Sequence, residues 1–293
     1  MKLRHRVVRK MKWLHLKGQI LFEGNLARCQ KIHSGNFPSH TILFYPDEPT
    51  LFAALWKICL WSNCRISNDP NAPFDLAVYW DGRDIRRPDD VLLNIAKQSR
   101  VININCYDFS KTTVNKVFAH AFGYELAVDP REHEGSCVKK SDRNATHDGQ
   151  VITCPIDEIE EGYVYQKLIN NEVGEDLIAD LRVPFFRDRI PLVYVKYRKK
   201  SDRFSNENEY VELVGVREQF SAQEQSQIIS FCGLLGLEYG ELDVLRDGDD
   251  QRIYVVDANP TPFGPPNHIN NRDRKLALNK LTTTFENTFL ADL

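Results

Sequence analysis

Leu237-Glu-Tyr-Gly-Glu-Leu-Asp-Val-Leu-Arg246 and Arg252-Ile-Tyr-Val-Val-Asp-Ala-Asn-Pro-Thr-Pro262 are the two runs whose reading decides the fold. Each is short and apolar, and between them lies Asp247-Gly-Asp-Asp-Gln251, polar hairpin punctuation between strand-forming runs. In an extended chain residues two apart leave the same face, so Asp257 and Asn259 point to one side. Pairing around the turn brings Asp243 into the same neighbourhood from the opposite strand. Three hard oxygen donors with few balancing cations suit Mg²⁺, which favours carboxylates, retains waters and commonly shares a nucleotide's phosphates. The unspecific reading is that Asp243 caps a strand and Asn259-Pro260 begins a turn. The rest of the chain has to choose between them.

The chain has 293 residues, 42% hydrophobic and 27% charged, the composition of an ordinary globular protein with room for two or three modest units. A net charge of -3 argues against a nucleic-acid-binding protein. The charge is uneven. Lys2, Arg4, Arg6, Arg9, Lys10, Lys12 and Lys17 all precede the first acidic residue, Glu23, so residues 1–36 are expected to be a basic leader. Such a helix could touch anionic lipid or nucleic acid, but a solvated helix or frayed terminus is the simpler expectation. There is no signal-peptide core, and no run approaches the roughly 18 apolar residues of a membrane span. Seven scattered cysteines without a Cys-x-x-Cys pair indicate reduced thiols and a cytoplasmic protein, with neither a disulfide scaffold nor a zinc centre.

Upstream of the hairpin the chain changes character. Over 37–108, strands at Thr41–Tyr45, Cys64–Ile66, Phe74–Trp80 and Val101–Ile104 alternate with helices at Leu51–Trp61 and Pro88–Ala96, which predicts a small parallel α/β unit. No glycine-rich phosphate fingerprint occurs there, so it is not read as dinucleotide-binding. Residues 112–123 predict a helix. Strands then follow at 135–140 and 150–154 around the polar loop 141–149, and at 162–169 leading into a linker, 170–175. Antiparallel strands at 180–183, 191–198 and 210–214 surround a charged loop, 199–209. Ser221 opens a helix to Leu235, and a last helix runs from Asp273 to Leu290.

Taken in order, these features are a lysine at a helix start, a Val-Lys strand with a small polar loop, and Gln166-Lys-Leu-Ile169. Asp180-Leu-Arg182, the Asp243 strand and Asp257-Ala-Asn259 complete the series. That order resembles the ATP-grasp superfamily over roughly 101–266. The style is that of ribosomal-protein glutamate ligase-like carboxylate–amine ligases, and D-alanine–D-alanine ligases share the plan more distantly. The resemblance implies an α+β ATP-grasp fold, with two α+β subdomains gripping ATP, over 109–293. A lid subdomain would occupy about 124–168, and a small parallel α/β domain would come before.

Residue by residue, the resemblance gives Lys111 (with Lys116 as alternative) and Lys139 (with Lys140 as neighbour) to the nucleotide phosphates. Lysine suits this because a flexible point charge can follow a phosphate. It places adenine against Gln166, Lys167, Leu168 and Ile169, with Glu172 or Glu175 accepting the ribose hydroxyls. Arg182, with Arg203 and Arg198 on the substrate side, would support charge on the transferring phosphoryl. Asp243, Asp257 and Asn259 match a Mg²⁺ triad in which the second position is more often glutamate. Two departures stand out: Asp257 is one methylene shorter, and the lid loop has a single glycine. In that loop Ser141, Asn144, Thr146 and His147 would have to donate hydrogen bonds instead. The implied activity is an ATP- and Mg²⁺-dependent carboxylate–amine ligase working through an acyl phosphate. Its carboxylate and amine substrates would be small molecules or peptides, without nucleic acid, and a homodimer is the default assembly. The rival expectations are an ATP-grasp kinase and a non-catalytic ATP-binding module.

Overall fold

A computed structural model describes residues 2–33, 40–144, 146, 148–205 and 207–293, and within 2–16 it describes the helix alone. The expected boundary at 36/37, the His147 donor and Asn206 lie outside the described residues, as do the side chains of the basic stretch up to Lys12. The chain starts with helix α1 (Lys2–His33), then runs β1 (Thr41–Pro46), α2 (Ala54–Trp61), β2 (Arg65–Ser67), β3 (Leu76–Trp80), α3 (Asp90–Ala96) and β4 (Val101–Ile102). These strands form a parallel sheet in the order β2-β1-β3-β4. All five residues of β3 are buried, as a parallel strand covered on both faces requires. Leu76, Val78 and Trp80 join the cluster with α2, while Ala77 and Tyr79 pack with Leu92 of α3.

The stretch expected as a basic leader forms α1, whose described second half packs against α2. Ile20 is buried, and at Gly24 a Cβ would lie 2.1 Å from a methyl of Leu60, so only glycine lets α2 come this close. Strand β4 also stops two residues short of expectation. Asn103, at φ 64°, turns the chain there. Its Oδ1 accepts from the backbone N–H groups of Glu238 and Tyr239 at 2.8 and 2.9 Å, which fastens the parallel sheet to the next one.

The chain continues with α4 (Lys111–Phe122), β5 (Gly135–Ser141), β6 (Gln150–Cys154), β7 (Tyr163–Lys167), β8 (Glu172–Val173), β9 (Leu177–Phe186), β10 (Val193–Lys199), β11 (Tyr210–Val214), α5 (Val216–Gln219), α6 (Ala222–Leu235), β12 (Tyr239–Arg246), β13 (Ile253–Asn259) and α7 (Asn271–Phe285). The order β11-β10-β9-β12-β13 is antiparallel throughout, with β8 added against β9, and β6-β5-β7 forms a separate three-stranded sheet. The linker 170–175 therefore contains a short strand. Asn171 accepts from the N–H of Ala179 at 2.9 Å and folds β8 back onto β9.

Period-two alternation decides which face of the large sheet is the core. Leu181, Val183 and Phe185 of β9, Val193 and Val195 of β10, and Leu242 and Val244 of β12 pack with Val114, Phe118 and Phe231 of α4 and α6. The opposite face carries the charges.

Candidate functional site

Turning those strands over exposes one continuous polar surface. Lys196 on β10 stands opposite Asp180 on β9, Arg182 opposite Asp243 on β12, Asp243 opposite Asp257 on β13, and Glu241 opposite Asn259. Each pair follows from two-residue spacing within a strand. A bulge between Asp243 and Val244 interrupts the β12–β13 register next to the carboxylates, a device that re-aims side chains.

Arg182 links the cluster. Its Nε donates to Glu241 Oε2 at 2.6 Å and its Nη1 to Asp243 Oδ2 at 2.8 Å. Lys196 Nζ donates to the other Asp243 oxygen at 3.0 Å. Burial alone would push the Asp243 carboxyl up, but Arg182 and Lys196 overcome it and hold the group well below the usual carboxylate range. Asp257 has no such partner. Burial pushes it up, its Oδ1 accepts from the N–H of Ala258, and no Lys or Arg lies within ion-pair distance among the described residues. Glu241, 2% exposed, is also pushed up by burial.

A cavity of about 1120 Å³ opens over this surface. Its described lining holds nine Lys and Arg side chains against five Asp, a balance suited to a polyanion. From α4, Lys111 enters it, and its Nζ donates to Arg143 O at 2.8 Å and Asn144 Oδ1 at 2.7 Å. The 141–149 loop thus already occupies Lys111, and Asp142 takes the N–H of Thr112 at the α4 start. From the three-stranded sheet the lining lysine is Lys140, whose Nζ donates to Val256 O at 3.1 Å; burial pushes it down to about 8. Lys139, expected there, points to the other face. It pairs with Glu160 and lies over the Tyr163 ring at 4.5 Å, because adjacent residues in a strand face opposite ways.

Gln166, Lys167, Leu168 and Ile169 all line the cavity. Gln166 Nε2 donates to Asn115 Oδ1 at 2.6 Å, and Lys167 reaches Asp247 at 2.6 Å and Asp250 at 2.7 Å, clamping the linker to the hairpin turn. Glu172, expected at the ribose, is exposed and paired with Lys200 instead. Arg203 lines the cavity but is turned to the linker, donating to Ile169 O at 3.2 Å and Asn171 Oδ1 at 2.6 Å, away from Asp243 and Asp257. Arg198 pairs with Asp180 at 2.7 Å.

Sequence reasoning missed Lys196, Glu241 and Lys57. The first two were findable, since Glu241 lies two residues before Asp243 and Lys196 two before Arg198. Lys57, on α2, gives no local signal.

As a test of fit for Mg²⁺, the donor set is two carboxylates and one amide, all hard oxygens, and Asp257 is a carboxylate lacking a counter-cation. Among the described residues no cluster of three or more His, Cys, Asp or Glu gathers to hold a metal without help from a ligand. Asn259 Oδ1 also accepts from Thr261 N at 2.8 Å. These residues fit a hard cation that keeps much of its shell from water or phosphate.

No protein-family model matches the chain, and no curated protein matches it in sequence. Solved structures do. The ATP-grasp ligase PsnB complexed with minimal precursor, Mg and ADP aligns at TM-score 0.52 and 13% identity over 83% of this chain and 97% of that one. The D-alanine–D-alanine ligase of Bacillus anthracis gives 0.51 and 11% over 85% and 96%, and the D-cycloserine synthetase DcsG gives 0.51 and 12% over 84% and 98%. The chain has the ATP-grasp fold, of the α+β class.

Proposed function

From that fold we propose an ATP- and Mg²⁺-dependent carboxylate–amine ligase. The observation that carries the reading is the bridge from Arg182 to Glu241 and Asp243 with Lys196 beside it, set in the floor of a cavity rich in cations. Of the similar structures two are ligases, one of them with Mg and ADP, and the third is a synthetase. In this reading the base lies along Gln166–Ile169, and Lys111 and Lys140 take the phosphates, Lys140 replacing Lys139. Mg²⁺, held by Asp257 with Asp243 and Asn259, would neutralise phosphate charge. Arg182 and Lys196 present donors where charge develops as the substrate carboxylate takes the γ-phosphoryl group, and they need no reorganisation because Glu241 and Asp243 already fix them. The resulting acyl phosphate must be kept from water. The β6-β5-β7 sheet, which reaches the hairpin through Lys140, is the lid for that purpose. An amine then attacks the acyl carbon and releases phosphate.

One observation favours a second reading, a non-catalytic ATP-binding module: both Asp243 oxygens are already held by Arg182 and Lys196. ADP release measured over a panel of acids and amines separates the readings. A ligase sustains ADP release over many turnovers only when both are supplied, a module binds ATP without releasing ADP, and a kinase releases it with a hydroxyl alone.

A further inference from the structure

The cavity continues past the charged strand face to an end walled by α1, α2, α7 and the 261–269 segment. In this end Lys57 of α2 is only 6% exposed. Its Nζ donates to the carbonyls of Phe52 (3.1 Å) and Gly264 (2.5 Å), and no carboxylate lies within ion-pair distance of it among the described residues. Among the other buried cations, Lys111 and Arg86 likewise meet only carbonyl or amide oxygens. Arg182, Lys196 and Arg198 each have a carboxylate partner, and Arg274, at the same end as Lys57, is paired with Glu23 at 2.7 Å. Glu241 is the carboxylate that acts on Lys57 through space, and it is committed to Arg182. Gly264 stands between the two: it accepts from Lys57, and a Cβ there would lie 3.1 Å from Glu241 Oε1.

A buried ammonium without a counter-charge is costly, and carbonyls satisfy its donors without cancelling its charge. Its burial pushes the group down to about 8, consistent with that missing partner. The walls of this end are apolar or aromatic at Ile20, Phe52 and Trp61 and polar at Asn271 and Arg274, and no carboxylate side chain is among its described lining residues.

We propose that Lys57 is the base of an anion subsite that takes a carboxylate of the acid substrate other than the one that reacts. The proposal rests on the ligase reading above and narrows the substrate to an acid with a second anionic group, placed so that the reacting carboxylate faces Arg182. The neighbouring backbone supports such placement. Ala54 N donates to Pro262 O at 2.9 Å and Gly264 N to Phe52 O at 3.3 Å, which ties the start of α2 to the segment after Asn259.

Isothermal titration of the full chain with succinate and with succinamate, which lacks one of the two charges, tests it. Wild type should bind succinate at least tenfold more tightly than succinamate. Lys57→Gln keeps N–H donors for both carbonyls and removes the charge; it should bind the two equally while its ATP affinity stays within twofold of wild type. The idea is overturned by equal binding or no succinate binding in wild type, or by a preference that persists in Lys57→Gln. It is also overturned by a loss of ATP affinity as large as the loss for succinate, which would make Lys57 a nucleotide ligand. If Lys57→Gln does not fold, Lys57→Met is measured in its place, and equal binding in wild type overturns the idea without either variant. Absence of ATP binding in the same titrations counts against the nucleotide reading and leaves the succinate result to be judged separately.

Discussion

Arg182 reaches two carboxylates from one guanidinium, and what its neighbours can do depends on that. Removing the charge at 243 leaves Arg182 with Glu241 alone and Lys196 without its ion pair, so Asp243→Asn should cost about 2 kcal/mol in urea unfolding, besides abolishing ADP release. The sign with pH follows from the same contacts. The folded carboxyl of Asp243 is depressed, so its stabilising contribution is complete above the ordinary aspartate range and is lost as pH falls through the lower folded value. Lys140 works in the other direction. Its ammonium is pushed down to about 8, so it loses its proton, and with it the proposed hold on phosphate, as pH rises past that value. The ATP dissociation constant should rise above pH about 8, by at most about tenfold per unit, and Lys140→Arg should flatten the rise. A flat wild-type profile would remove Lys140 from the phosphate site. The Lys139–Lys140 pair also marks a limit of sequence reading at this scale. A strand shows that neighbours face opposite ways, but the side that is inside depends on a sheet stacked across the cavity.

Among the elements, legibility followed local chemistry. Helix α6 was readable at its start because Ser221 and Glu224 form a reciprocal capping box. Ser221 Oγ accepts from Glu224 N at 3.2 Å and Glu224 Oε2 accepts from Ser221 N at 2.8 Å. Glu224 also pairs with Arg246 of β12 at 2.9 Å, tying the cap to the hairpin. Ser221→Ala should therefore cost about 1 kcal/mol in urea unfolding, and Glu224→Ala more, because it breaks the cap and the tie together. Equal costs would mean that Arg246 contributes nothing to the element. The hairpin was readable because Asp247 to Gln251 carries turn chemistry and the flanking runs alternate. What escaped were features set by distant partners. Asn103 ends β4 for the sake of Glu238 and Tyr239, and β8 exists because Asn171 meets Ala179. In α1 the basic residues were plain in the sequence, yet its place against α2 depends on the absence of a side chain at Gly24.

At the scale of the whole molecule, the order of elements carried the fold, since the longer strands and helices announced themselves locally and the ATP-grasp plan is their sequence. The cavity could not be read that way. The two antiparallel sheets and helices α1, α2, α4 and α7 line it, and the decisive side chains come from 57, 111, 140, 182, 196, 243 and 257, which only the closed structure brings together. That closure makes the last prediction global. A ligand that binds the folded chain alone stabilises it by about 2.7 kcal/mol at a hundred times its dissociation constant. For a chain of this size that is a rise in melting temperature of about 5 °C. ATP with Mg²⁺ should produce this rise in wild type, and Asp257→Ala should lose most of the Mg²⁺-dependent part. Because Lys140 already bonds Val256 across the gap between β5 and β13, hydrogen exchange on adding ATP should slow in β5–β7 and in β12–β13 together. Protection confined to one of the two sheets would show that the nucleotide does not lie between them. A wild-type melting temperature indifferent to ATP and Mg²⁺ would remove the nucleotide from the cavity altogether.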